Sequence, residues 1–468
     1  MDFNLKNNKL FIGLSLFLLI CACGTFVIRS INFSLYPFPL ENGEGICAHM
    51  AILLKHGMLY EKLTDIPYIV ANYPPVYFIL NFFAFEKNIY AIGRLFSALS
   101  IVASGFVILR IILFQTGNLF AAIVSCVFFF TYPFVNRTGM MYRVDMMASF
   151  FSLLGFYFII AGKKHRFLWS TLLFILGLYT KHTVWAGPLG GYLYCFINNR
   201  KQTLKPFLYF IGTGAVIFLL ITIFTKGEFF NHLLRYNIYS YSFDRLFSYI
   251  MTFVKYTGIV FVFFISAFFS RNFYKSPIVL YLFFAVLSVF FLGREGASNH
   301  YLFEICYAVC LSAGVGISYL DIKAKFFFIH ALILLLIFIH VGSHYEILKH
   351  LRVPETVYTL DRIALQQIKR EKGRVLAEDT GMLLVAGKTV YMHSFAISKL
   401  VEKDIFPKNL FYGLLHKKFF KMVMLDSKLT SLSPQTAVRF TNEFLFMVNE
   451  YYKHEASIGN YEFYTLKD

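Results

Sequence analysis

Apolar runs of roughly 15–22 residues recur along the first three quarters of the chain, separated by short polar breaks. Lipid offers the backbone no hydrogen-bond partner, so such runs are read as helices that satisfy their own N–H and C=O groups. The pattern predicts spans near 10–28, 93–114, 118–136, 145–161, 167–180, 183–198, 206–225, 249–270, 277–293, 300–320 and 326–343. That is about eleven, with 167–180 and 183–198 short enough to form one bent unit. The apolar stretch Val76–Phe85 follows Pro74-Pro75 and is too short to span, so it reads as a helix lying at the interface.

From residue 350 the pattern changes. Short β-like runs (Arg374–Glu378, Thr389–His393, Lys421–Leu425, Tyr461–Leu466) alternate with helical ones (Phe395–Lys403, Thr441–Tyr452), punctuated by Gly373, Gly381 and Gly387. This predicts a small soluble α/β domain. The expected fold is therefore an all-α polytopic membrane protein with a small C-terminal α/β extracytoplasmic domain. The membrane domain is expected over 1–345, with a first outer loop at 29–92, and the soluble domain over 346–468.

Composition agrees with that pattern. Of the 468 residues, 58% are hydrophobic and only 15% charged, with 58 Phe and 31 Tyr, which excludes an ordinary soluble enzyme or a disordered chain. The net charge of +18 is read as loop charge that fixes orientation, not as a nucleic-acid surface. Lys6 and Lys9 precede the first span, and Lys163, Lys164, Arg166, Arg200, Lys201, Lys205, Arg271, Lys275, Lys323 and Lys325 fall in breaks of one parity. A plasma-membrane protein with a cytoplasmic N-terminus and an outward tail is expected. The seven cysteines show neither a disulfide framework nor zinc spacing.

Charges at membrane depth are costly and need a reason. Four polar clusters follow odd-numbered spans and so share the outer side: Pro39 to Gly45 with Glu41 and Glu44, Arg137 to Asp145 with Arg143, Thr180-Lys181-His182, and Gly293 to His300. Carboxylates there can take a proton from a hydroxyl. Cations there can hold a phosphate that gains charge as it leaves. Together they suit group transfer from a lipid phosphate.

Along residues 10–345 these motifs, in this order, resemble the type C glycosyltransferase superfamily (GT-C). The branch is that of the protein O-mannosyltransferases and aminoarabinose transferases. The resemblance is carried by Gly43-Glu44-Gly45, His56-Gly57-Met58-Leu59-Tyr60, Asn72-Tyr73-Pro74-Pro75, Gly93-Arg94-Leu95, Tyr142-Arg143-Val144-Asp145, Thr180-Lys181-His182 and Arg294 to Tyr301. Two departures stand out. The acidic pair of many relatives is reduced to Gly43-Glu44, and a basic residue before the proline is replaced by Asn72-Tyr73.

The resemblance implies an inverting glycosyltransferase that moves a sugar from a polyprenyl-phosphate donor to a hydroxyl on a glycan, lipid or protein. Glu44 is the expected base, with Glu41 as the alternative, and Asp145 joins them as a catalytic candidate. Arg143, Lys181, His182, Arg294, Asn299 and Tyr73 are expected to contact substrate. A divalent cation, Mg or Mn, held by Asp145 with Glu41 or Glu44, stays open because no ligand spacing demands one. The competing reading is a transporter or glycolipid flippase, although no matching halves are visible.

Overall fold

The computed structural model describes residues 2–80, 88–162, 164–323, 327–343 and 350–467. It divides into two compact units. The first comprises residues 1–32, 94–217 and 240–351, the second 33–93, 218–239 and 352–468.

The first unit is helical. Helices stand at the places the hydropathy marks, among them Asp2–Leu35, Ala91–Thr116, Leu119–Thr131, Val144–Ile160, Arg166–Thr180, Ala186–Asn198, Arg200–Phe224, Pro277–Val289, Phe303–Lys323 and Phe327–Ser343. Among the described residues, four stretches are long and apolar enough to cross a membrane unaided: Lys9–Leu35, Ala91–Thr116, Arg200–Phe224 and Asn299–Asp321. Their environments differ. The most apolar window of Asn299–Asp321 is 94% buried inside the protein, that of Arg200–Phe224 only 6%. One helix is therefore central, and the other leaves its apolar side chains for lipid.

The expected single span at 249–270 is corrected by the structure. It is broken into Phe243–Thr257 and Val260–Ala267, bent by 97°. The break falls at Gly258, whose φ of 46° lies where only glycine is at ease.

The Val144–Ile160 and Arg166–Thr180 helices form a tight antiparallel hairpin. The chain reverses through Gly162 (φ 66°) and His165 (φ 61°). Small residues let the arms approach: a Cβ on Gly155 would stand 2.5 Å from the Phe174 ring. A hairpin with arms of 17 and 15 residues returns the residue after its second arm to the level at which the first arm began. Lys181 thus comes back to Asp145.

The second unit holds a four-stranded sheet of order β1-β2-β4-β3, made of β1 (Val375–Ala377), β2 (Met422–Leu425), β3 (Tyr452–Ile458) and β4 (Tyr461–Leu466). β1 and β2 run parallel, and β4 is antiparallel to both β2 and β3. β1 and β2 are buried throughout, so their sequences are unbroken apolar runs, whereas β3, at the opposite edge from β1, is exposed over most of its length. The run Thr389–His393, expected as a strand, joins no ladder of the sheet and makes an isolated parallel bridge, Met392 to Tyr68. The helix expected to reach Tyr452 ends at Tyr451, where the chain turns directly into β3. The Glu355–Arg370 helix was not expected from the pattern.

The first loop shares this unit's core. Leu63, Tyr68 and Val70 pack with Leu376, Met392, Ile397, Phe411, Val423 and Phe444. The Asn42–Lys55 helix meets the Thr380–Val385 helix so closely that a Cβ on Gly45 would stand 2.3 Å from the Gly381 nitrogen. Of the expected interfacial helix, Val76–Leu80 is helical, and the remainder lies outside the described residues.

Candidate functional site

In the first unit, Arg143 caps the Val144–Ile160 helix in extended conformation and Asp145 lies in its first turn. Lys181 ends the Arg166–Thr180 helix, its N–H donating to the Gly177 carbonyl at 2.8 Å. An acid at a helix start and a cation at a helix end each complement the helix dipole. The hairpin then puts the two together. Lys181 Nζ is 2.5 Å from Asp145 Oδ1, and Arg143 Nε is 3.3 Å from Asp145 Oδ2. The Lys181 and Asp145 side chains are 3% and 1% exposed, and Arg143 keeps 14%. The trio carries a net charge of +1. Lys181 also stands 3.4 Å from the centroid of the Tyr301 ring, on whose negative face the ammonium is favoured.

Sequence reasoning missed Glu304. Its Oε1 accepts from Ser152 Oγ at 2.8 Å and from the Ala186 N–H at 3.2 Å. Ser152 Oγ in turn accepts from the Gly187 N–H at 3.1 Å. The carboxylate and the Ser152 hydroxyl thereby satisfy the first two N–H groups of the Ala186–Asn198 helix, which lacks a capping side chain of its own. Lys181, His300, Tyr301 and Glu304 line a common cavity of about 10 Å³, room for a single water. The signal was a lone acid one turn into an apolar run, which reads as a helix terminus until its partners are seen.

His182 follows Lys181. Burial, with the charges of Lys181 and Arg294 adding to it, pushes its imidazole down to about 4, so it is neutral at physiological pH. Its Nδ1 and the Asn299 Oδ1 are buried with no hydrogen-bond partner among the described residues. Arg294 is half-buried and shares a backbone bridge with Tyr241.

In the second unit, Glu44 is fully buried in the first turn of the Asn42–Lys55 helix. Its Oε2 accepts from the Leu40 N–H at 2.7 Å. Glu41 is the preceding cap, half-buried. Tyr73 is half-buried, and its carbonyl accepts from the Tyr60 hydroxyl at 2.8 Å. In the same unit, His49 and His393 are both buried, with His49 Nδ1 3.0 Å from His393 Nε2. Burial pushes His49 down to about 4; burial and the neighbouring His49 lower His393 as well. No group of three or more His, Cys, Asp or Glu side chains able to hold a metal ion occurs among the described residues.

Helices at the apolar runs and a small mixed sheet in the tail make a polytopic membrane-protein fold that solved structures share. The chain is similar to two crystal structures of ArnT from Cupriavidus metallidurans, an aminoarabinose transferase. One is in the apo state (TM-score 0.58) and the other is bound to undecaprenyl phosphate (TM-score 0.59). Identity is 14% in both cases, and 97% of each chain is covered. No protein-family model and no curated protein sequence matches the chain.

Proposed function

We propose that the protein is an integral membrane glycosyltransferase that takes a sugar from a polyprenyl-phosphate donor and gives it, with inversion, to a hydroxyl acceptor. The observation that carries this reading is the likeness along 97% of the chain to a protein solved with undecaprenyl phosphate. It is supported by a buried, net-cationic Arg143–Asp145–Lys181 group in a helical membrane unit.

The donor phosphate bears about one negative charge while the sugar is attached and approaches two as it leaves. Arg143 and Lys181 are assigned to that phosphate. Asp145 holds both cations in place, so they need no reorganisation as charge builds, and they favour the transition state over the bound donor. Arg294 is assigned to the same phosphate as an outer cation, and neutral His182 and Asn299 to hydroxyl groups of the substrate. Glu44 is assigned as the base that takes the acceptor proton, on its chemistry as a buried carboxylate; Glu41 is the alternative. Tyr73 is assigned to the sugar. The acceptor is a glycan, lipid or protein hydroxyl, and the transferred group a hexose or pentose. A divalent cation is tested by adding chelator to the assay.

The decisive experiment incubates the purified chain in nanodiscs with a panel of radiolabelled undecaprenyl-phosphate sugars and an envelope extract as acceptor. Label moving into the acceptor fraction, with release of undecaprenyl phosphate, is expected for one donor. Donor that crosses the bilayer intact with no transfer for any sugar would replace this reading with a flippase.

A further inference from the structure

The sheet of the second unit gathers cations that are far apart in sequence. Arg374 leads into β1 and Lys421 into β2, and the parallel pairing of those strands sets them side by side: the Lys421 N–H donates to the Arg374 carbonyl at 2.8 Å. The turn after the Thr380–Val385 helix adds Lys388, and Lys372 adds a fourth charge. These residues line one open cavity of about 430 Å³, within the range of small-ligand sites. Among the described residues that line it there is no carboxylate. The adjacent acid, Glu371, turns Oε1 to the Gly373 N–H at 2.6 Å, and its carbonyl accepts from Lys388 Nζ.

Two aromatic rings complete the wall. The Arg374 guanidinium lies 4.2 Å from the centroid of Phe419, and the Tyr391 ring meets Phe419 edge-on at 5.2 Å. A guanidinium over an aromatic ring keeps N–H groups free at its edge, and its fork of donors matches the oxygens of a phosphate. Four like charges around one cavity repel one another, and a bound anion offsets that repulsion. The aromatic wall suits the apolar face of a sugar ring.

We infer that this cavity is a binding site for a phosphorylated sugar, either a free glycan phosphate or the phosphate headgroup of a lipid. Arg374 and Lys421 grip the phosphate, Lys372 and Lys388 supply the surrounding field, and Tyr391 with Phe419 flank the sugar. The inference does not rest on the proposed transfer, because it concerns binding and needs no turnover.

The full chain in phosphatidylcholine nanodiscs is titrated with glucose 6-phosphate, with glucose as the neutral control, by isothermal calorimetry. Saturable binding of the phosphate ester and none of glucose is expected. Arg374→Gln with Lys421→Gln weakens it by about tenfold or more, the loss expected for two charge-assisted contacts, with the melting temperature unchanged. Should that pair not fold, the exposed Lys372→Gln gives a smaller weakening in the same direction. Repeating the titration in phosphatidylglycerol nanodiscs separates the sources: suppressed binding identifies a lipid headgroup, unchanged binding a free glycan phosphate. No saturable binding in phosphatidylcholine, or equal affinity in parent and variants, overturns the inference.

Discussion

Lys181 Nζ and Asp145 Oδ1 are 2.5 Å apart at the open end of one helical hairpin, with both side chains all but sealed from solvent. Neither charge would be tolerated there alone. A buried ion without its partner costs several kcal/mol, and the pair exists because the hairpin brings two helix ends to one level.

Asp145→Asn leaves the Lys181 ammonium buried with no anion in contact. The expected loss of stability is about 3–5 kcal/mol, the usual cost of removing one member of a buried pair. It is read as a lower melting temperature in detergent. Asp145→Leu with Lys181→Met removes both charges and recovers most of that stability, while transfer stays absent. Transfer restored in the double variant would reduce the pair to a structural role.

Glu44→Gln keeps a side chain of the same shape that can still accept from the Leu40 N–H but cannot take a proton. Transfer is expected to drop on the order of 10²- to 10⁴-fold, the usual contribution of a general base, with the melting temperature little changed. Glu41→Gln is expected to have a small effect. If Glu44→Gln retained full activity and Glu41→Gln lost it, the base would be reassigned.

The His49–His393 contact gives the second unit a pH-dependent stability. Both imidazoles have folded pKa values below the unfolded value of about 6.5. Between pH 6.5 and the folded value of about 4 for His49, the unfolded chain binds more protons. The contribution is therefore fully present above pH 6.5 and drains away as pH falls towards 4. Melting curves from pH 7.5 to 4.5 should show His49→Asn flattening the acid-side fall in stability. An identical slope in parent and variant would remove the pair from the account.

Gly45→Ala inserts a Cβ 2.3 Å from the Gly381 nitrogen and 2.6 Å from its Cα. Both contacts are backbone, so relief requires the Asn42–Lys55 helix to move from the Thr380–Val385 helix. Overpacking of this kind costs about 1–3 kcal/mol. Limited proteolysis should cut the 33–93 loop faster in the variant; unaltered cleavage would show that the contact does not hold the loop on the sheet.

The cluster Arg143–Asp145–Lys181 was legible in part. Each member stood out as a charge beside an apolar run, but that Asp145 would hold both cations followed from hairpin length and turn geometry. Glu304 was hidden for the opposite reason. It lies inside an apolar run, and its partners Ser152 and Ala186 are more than a hundred residues away. The sharp bend at Gly258 also escaped the pattern, because hydropathy records composition and carries no direction. In the tail, β1, β2 and β4 were visible as short β-like runs. β3 was lost because its residues are mostly polar and exposed and follow a helix without a break.

Sequence alone determined the solvent of this protein and the class of its elements. Apolar runs interrupted by charged breaks leave helices in lipid as the only arrangement that satisfies the backbone, and the change of pattern near residue 350 marks a sheet that water can surround. Tertiary structure alone decided which charges meet. It also decided that the first loop and the tail share one core, and that four cations of the tail wall a single cavity. Burial and pairing depend on contacts between residues distant in sequence, which local periodicity does not encode.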